Sequence, residues 1–148
     1  MSDPRVEVRT VSWQDEHARD VLQRLRFEVF VYEQGVPEDM EIDDEETSAT
    51  HYLALDAASG EALGCARLTL AHKVTRLCVV KAARHRGVGT LLLQRTIDDA
   101  RARGWSELHL HAQTYAAGLY EKAGFVASGE EFMEAGIPHQ RMDLSLVP

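Results

Sequence analysis

Seven consecutive residues, Arg84-His85-Arg86-Gly87-Val88-Gly89-Thr90, have the composition of an anion cradle. A glycine-bearing turn that opens a helix aims several unpaired backbone N–H groups outward, with the positive end of the helix dipole behind them. That combination binds phosphate oxygens. Gly87 and Gly89 remove Cβ atoms where a pyrophosphate would approach the main chain. Arg84, His85 and Arg86 add positive charge to a chain whose net charge is −8. No Gly-Lys-Ser/Thr follows, so the segment is not a P-loop, and the GxGxxG dinucleotide fingerprint is absent. Taken alone, Gly-x-Gly also suits a plain strand-to-helix turn.

Other reactive side chains give weaker patterns. His109 and His111 share one face of a strand and could hold a metal with His51 or His139. Spacing fixes no third ligand, and no metal is expected. Cys65 and Cys78 show no CxxC or zinc spacing. Both read as buried small hydrophobes, and a bridge between them is not expected in a reducing compartment. That reading also disfavours an acetyl-cysteine route through Cys78.

The elements that must position these groups fit one domain over residues 1–148, with 45% apolar content for a core. The acidic balance excludes a nucleic-acid protein of the usual basic kind. No apolar run reaches membrane-spanning length, and Met-Ser-Asp-Pro-Arg-Val lacks a signal-peptide stretch, so a cytoplasmic protein is expected. Val6, Val8 and Thr10 alternate with charges in a first strand. Ser12-x-x-Asp15 resembles a capping box, and Val21, Leu22, Leu25, Val29 and Phe30 give the following helix a core face. Gly35 and Pro37 end it. From Glu38 to Glu46, seven of nine residues are acidic, which predicts a loop. That loop could steer a cationic partner. Strands are expected at His51–Asp56, Ala62–Leu70 and Val74–Val80, with the first two joined by a Ser59-Gly60 turn. A helix over Val88–Arg103 follows, then a strand at Ser106–Gln113. A helix at Ala116–Ala123 and a last strand at Arg141–Val147 complete an α+β chain around a mixed sheet.

In this setting Arg84-x-x-Gly87-x-Gly89, after a strand ending Leu77-Cys78-Val79, resembles the Q/R-x-x-G-x-G/A signature of the GCN5-related N-acetyltransferase (GNAT) superfamily. Leu119-Tyr120-Glu121-Lys122-Ala123-Gly124-Phe125 is similar to that family's LYxxxGF segment. Arg26-x-x-Val29-Phe30-Val31-x-Glu33-Gln34-x-x-Pro37, then Glu41-x-Asp43 and Gly136-Ile137-Pro138-His139-x-x-Met142, resemble its ElaA-like branch. The resemblance implies an α/β/α-layered, mostly antiparallel sheet with one splayed strand pair, acetyl-CoA as cosubstrate, and an amine acceptor. It implies that Leu77, Cys78 and Val79 contact pantetheine and the acetyl carbonyl through their main chain. It further implies that His85, Arg86, Gly87, Val88, Gly89 and Thr90, with Arg84, line the pyrophosphate. Tyr120 would be the general acid for the departing thiolate, its phenol being protonated at neutral pH with an ordinary pKa of about 10. Gln113 stands where many relatives carry Asn, and its amide can still reach the coenzyme.

Acetyl transfer to a mostly protonated amine needs a base. Glu33, His111 and His139 are the candidates, and an imidazole, with an ordinary pKa of ~6.5, suits the task. Glu33 would also bind the acceptor ammonium. A non-catalytic coenzyme A sensor or partner-binding module keeps the cradle but not the turnover. A histidine-based metal-binding protein leaves the cradle unexplained. The C-terminal strands offer a surface for a homodimer.

Overall fold

A computed structural model describes residues 5–147. Met1–Pro4, the start of the segment read for a signal peptide, lie outside the described residues. Seven strands form one sheet: β1 (Val6–Val11), β2 (Thr50–Asp56), β3 (Ala62–Leu68), β4 (Lys73–Val79), β5 (Glu107–Gln113), β6 (Val126–Glu134) and β7 (Ile137–Ser145). Their order is β1-β2-β3-β4-β5-β7-β6, and every neighbouring pair is antiparallel except β4–β5. Helices α1 (Glu16–Arg26), α2 (Glu38–Glu41), α3 (Val88–Ala102) and α4 (Ala117–Lys122) pack around it, and a π-helical stretch, Phe27–Glu33, continues α1.

Strand alternation sorts the two long helices onto opposite faces. His51 stacks on Trp13, which Arg26 of α1 covers at 5.3 Å. The next residue, Tyr52, points the other way and donates its hydroxyl to Asp99 of α3 at 2.8 Å. This is the expected α/β/α sandwich. On α1, Ala18, Leu22 and Leu25 are buried at three- and four-residue steps; on α3, Val88, Leu92, Leu93, Ile97 and Ala100 are. The cap of α1 is Asp15, whose carboxylate accepts from Ala18 N at 3.2 Å, not Ser12. Ser12 instead accepts from Gln14 N.

Two expectations need correction. Strand β6 was not anticipated, and β7 begins at Ile137 rather than Arg141. Val126–Glu134 is an edge strand exposed along almost all its length, so it lacks the apolar alternation that marks a half-buried strand. The Glu38–Glu46 segment is also not a solvated loop. Part of it is α2, and Glu41 and Glu46 are buried. Arg26, Arg67 and Arg76 supply the countercharge. Like charges disfavour compaction only while no opposite charge faces them.

Backbone packing is tightest between β3 and β4. A Cβ built on Gly64 would lie 2.5 Å from the carbonyl oxygen of Cys78. Gly64→Ala is therefore expected to cost about 1–3 kcal/mol, read by thermal melting, because main chain must move. The strand displaced is the one that borders the site, so coenzyme A affinity should fall as well. An unchanged melting curve would mean that β4 yields freely here.

Candidate active site

The parallel pair β4–β5 is joined at only two positions, Lys73↔His109 and Val74↔Leu110. Beyond them the strands diverge, β4 to Val79 and β5 to Gln113. A bulge reinforces the divergence. Cys65 faces Cys78 and Arg67 faces Thr75, so two β4 residues, Arg76 and Leu77, oppose the single Ala66. Arg76 takes φ 54°, and its guanidinium reaches the carbonyls of Met40 and Glu41 and the carboxylate of Asp43.

The gap opens into a cavity of about 620 Å³. One wall is Leu77, Cys78, Val79, Arg84 and Gly89; the facing wall is His111, Gln113, Leu119 and Tyr120. The π-helix contributes Val29 and Phe30, the acidic segment Met40, Glu41, Asp43 and Glu45, and the β6–β7 hairpin Glu134, Ile137 and His139. Of the expected site residues, Glu33, His85, Arg86, Gly87, Val88 and Thr90 lie outside this lining.

The cradle lies beside it. Gly87 caps α3 in the left-handed region at φ 77°, which explains glycine there. Gly89 is different: an added Cβ would make ordinary contacts, 3.6 Å to Leu119 and 3.8 Å to Val79. Val88 is buried, so only its main chain is available to a ligand. His85 and Thr90 are exposed. Arg84 and Arg86 are both engaged by carboxylates. Arg84 forms a bidentate pair with Glu33 at 2.7 and 2.6 Å and donates Nε to the Val79 carbonyl at 3.1 Å. Arg86 donates to Asp56 at 3.1 Å. The Arg84 hydrogen bond holds the Glu33 carboxyl below the usual carboxylate range, which keeps it charged and occupied.

A strap of two residues thus crosses the gap. Glu33 ties the π-helix to Arg84 on the β4 side. Its neighbour Gln34 exchanges amide hydrogen bonds with Gln113 on the β5 side and donates to the Tyr115 hydroxyl at 3.2 Å. Gln113 therefore holds the cleft together in addition to facing it.

Tyr120 packs its ring edge against Phe125, and among the described residues its hydroxyl has no hydrogen-bond partner. Burial pushes its phenol well above the ordinary value. Cys78 is buried with its Sγ 3.6 Å from that of Cys65; this contact and burial raise its thiol well above the usual range. Such a thiol is a poor nucleophile. His111 has Nδ1 3.0 Å from Glu134 and 3.2 Å from Lys73. His139, nearly buried, pairs Nδ1 with the Ile137 carbonyl at 2.7 Å. His51 is committed elsewhere, its Nε2 2.8 Å from the Glu46 carbonyl. Among the described residues no group of three His, Cys, Asp or Glu is placed to hold a metal.

Sequence reasoning missed Glu134 and Lys73, which meet at His111, and the arginine cluster under the acidic segment. Only the cluster left a signal: three arginines on segments with apolar flanks need partners.

The sequence that builds this cleft between two splayed strands matches the family model for the acetyltransferase (GNAT) domain over residues 12–146. The chain belongs to the GNAT acetyltransferase family. Among curated relatives of this GNAT chain, the uncharacterized N-acetyltransferase YjcF of Bacillus subtilis is 39% identical over 120 residues, covering 80% of this chain and 86% of that one. A crystal structure of an acyl-CoA N-acyltransferase from Pseudomonas aeruginosa is 30% identical with a TM-score of 0.81, covering 94% and 99%. Escherichia coli ElaA is 25% identical with a TM-score of 0.83 over 94% and 99%. As a GNAT protein the chain is an acyltransferase, and acetyl-CoA is its cosubstrate. The site fits that group in its own terms: an unpaired strand edge for an amide-bearing chain, and a glycine-capped helix start for phosphates. No helix among the described residues is long and apolar enough to cross a membrane.

Proposed function

We propose that residues 1–148 act as a single N-acetyltransferase domain that moves the acetyl group of acetyl-CoA to a primary amine by direct attack. Acetyl-CoA supplies an activated thioester. The main chain of Leu77–Val79, on the edge that β5 leaves unpaired, polarises the carbonyl under attack. The backbone from Gly87 to Thr90 binds the pyrophosphate, with Arg84 beside it. His111 takes the proton that the acceptor ammonium must lose to form the new C–N bond. Tyr120 gives its proton to sulfur as the C–S bond breaks. The observation that carries this reading is one cavity bordered by the splayed strands, His111 and a tyrosine hydroxyl with no hydrogen-bond partner among the described residues. Of the base candidates, Glu33 is paired with Arg84, and His139 is buried with its other nitrogen turned toward Glu134, which leaves His111.

Turnover is measured as free thiol released from acetyl-CoA with a panel of polyamines, amino-sugars, amino acids and peptide N-termini. His111→Gln is expected to lower kcat/KM with the best acceptor by about 10²-fold and to abolish the acid limb of the pH profile. A His111→Gln enzyme with the wild-type profile would remove His111 from the mechanism. Absence of turnover across the panel, with coenzyme A still bound, would favour a sensor.

A further inference from the structure

Glu134 and Lys73 meet His111 at the same ring atom. Nδ1 lies 3.0 Å from Oε1 of Glu134 and 3.2 Å from Nζ of Lys73. A carboxylate only accepts a hydrogen bond, and an ammonium only donates one. Nδ1 of a neutral imidazole can therefore satisfy one of them at a time. With Nδ1 protonated, the ring donates to Glu134 and Nε2 keeps its lone pair. With Nδ1 bare, the ring accepts from Lys73 and Nε2 carries the proton, so Nε2 cannot take another from an ammonium. Nε2 has no protein partner among the described residues, and the ring borders the cavity.

We propose that Glu134 and Lys73 are opposed positioning residues that set the tautomer of His111, with Glu134 selecting the form able to accept the acceptor's proton. This rests on His111 being the base. Glu134 has the shorter contact, and it also stabilises the imidazolium once the proton arrives, whereas Lys73 opposes it. His139 does not divert the carboxylate. Its Nδ1 is on the Ile137 carbonyl, so a neutral His139 turns an unprotonated Nε2 toward Glu134, 3.6 Å away. The remaining charged neighbours are Arg141, the β7 register partner of His111, which is bonded to Asp143, and His109 on the same strand.

The local fold makes this arrangement rigid. Glu134 is the last residue of β6, and the two turn residues that follow, Ala135 and Gly136, have φ 51° and 76°. Positive φ at both positions is the tight hairpin turn that matches strand twist. Phe132 on the same strand sets its ring edge on the imidazole, with centroids 4.9 Å apart. The hairpin thus brings its half-exposed carboxylate beside a ring carried by β5.

Glu134→Gln and Lys73→Met separate the two influences. In Glu134→Gln the plateau of kcat/KM, measured with the best acceptor of the panel, is expected to fall about tenfold. In Lys73→Met the plateau is expected to hold or rise. ¹⁵N NMR of the free protein reads the tautomer without turnover: the Nδ1-protonated fraction of His111 falls in Glu134→Gln and rises in Lys73→Met. A purely structural role would move both variants alike or neither. Tautomer populations that move in the same direction in both variants, or in neither, overturn the proposal. If instead His111→Gln leaves the acid limb in place, the base reading has failed, and the NMR populations still decide the positioning.

Discussion

Tyr120→Phe should lower kcat by about 10³-fold while leaving the affinity for coenzyme A nearly unchanged. General acid catalysis is worth ~10²–10⁴-fold, and the substitution removes one oxygen without disturbing the ring packed on Phe125. Because burial raises the Tyr120 phenol well above its ordinary value, it stays protonated across the working range. The loss should therefore be constant from about pH 6 to 9, unlike the effects at His111. Steady-state kinetics at several pH values, with coenzyme A binding by calorimetry, checks both parts. A variant that keeps wild-type kcat would return Tyr120 to a packing role.

Arg26→Met should cost about 3–5 kcal/mol of stability, the range for stripping one partner from a buried ion pair. Arg26 donates to Glu41 and to both oxygens of Glu46, and all three residues are buried. Its removal leaves Glu41 to Arg76 and Glu46 to Arg67, so the buried cluster becomes under-compensated. For a chain of this size, Tm should fall by on the order of 10 °C. Burial alone would raise the Glu46 carboxyl, but Arg26 and Arg67 outweigh it and hold it below the usual range. Asp43 is lowered likewise, by Arg67 against its own burial. A depressed folded-state pKa contributes stability that is present above the unfolded value, about 4, and lost as pH falls through the folded one. The Glu46 and Asp43 contributions are thus lost in acid, whereas Glu41, raised chiefly by its burial, works the other way and gains as it protonates. In Arg26→Met the under-compensated carboxylates gain by protonation, so the gap between the two proteins narrows as pH falls. Melting curves from pH 4 to 8 decide the matter. A uniform gap, or one below about 1 kcal/mol, would mean the cluster is better solvated than its burial indicates.

The same residues show why part of the molecule was legible and part was not. The cradle could be read because its requirement is local: a helix start whose cap needs positive φ gives glycine at position 87. Strands β2 and β3 were marked by buried apolar runs, and β5 by strict alternation. β6 carries Gly129 and three glutamates on an exposed edge, so nothing in its composition distinguishes it from a loop. The acidic segment was misread because its charges were counted against one another. Their partners, Arg26, Arg67 and Arg76, lie 15 to 35 positions away in sequence. Glu33 was read as facing the acceptor, yet it holds Arg84. A pairing fixed only by tertiary structure leaves no spacing signature.

The two-residue junction of β4 and β5 has a thermodynamic consequence. Everywhere else in the sheet, neighbouring strands share at least four aligned residue pairs. Here the inner edges run on without each other, bridged across the gap by side chains of the strap and by Lys73 against His111. An amide-bearing ligand laid along that edge takes the place of missing strand pairing, so its binding energy becomes folding energy. Any ligand that binds only the folded state adds RT ln(1 + [L]/Kd), or about 2.7 kcal/mol at a hundredfold excess over Kd. The resting protein should therefore be appreciably easier to melt than the loaded one. In a cell, its lifetime would follow the supply of acyl donor.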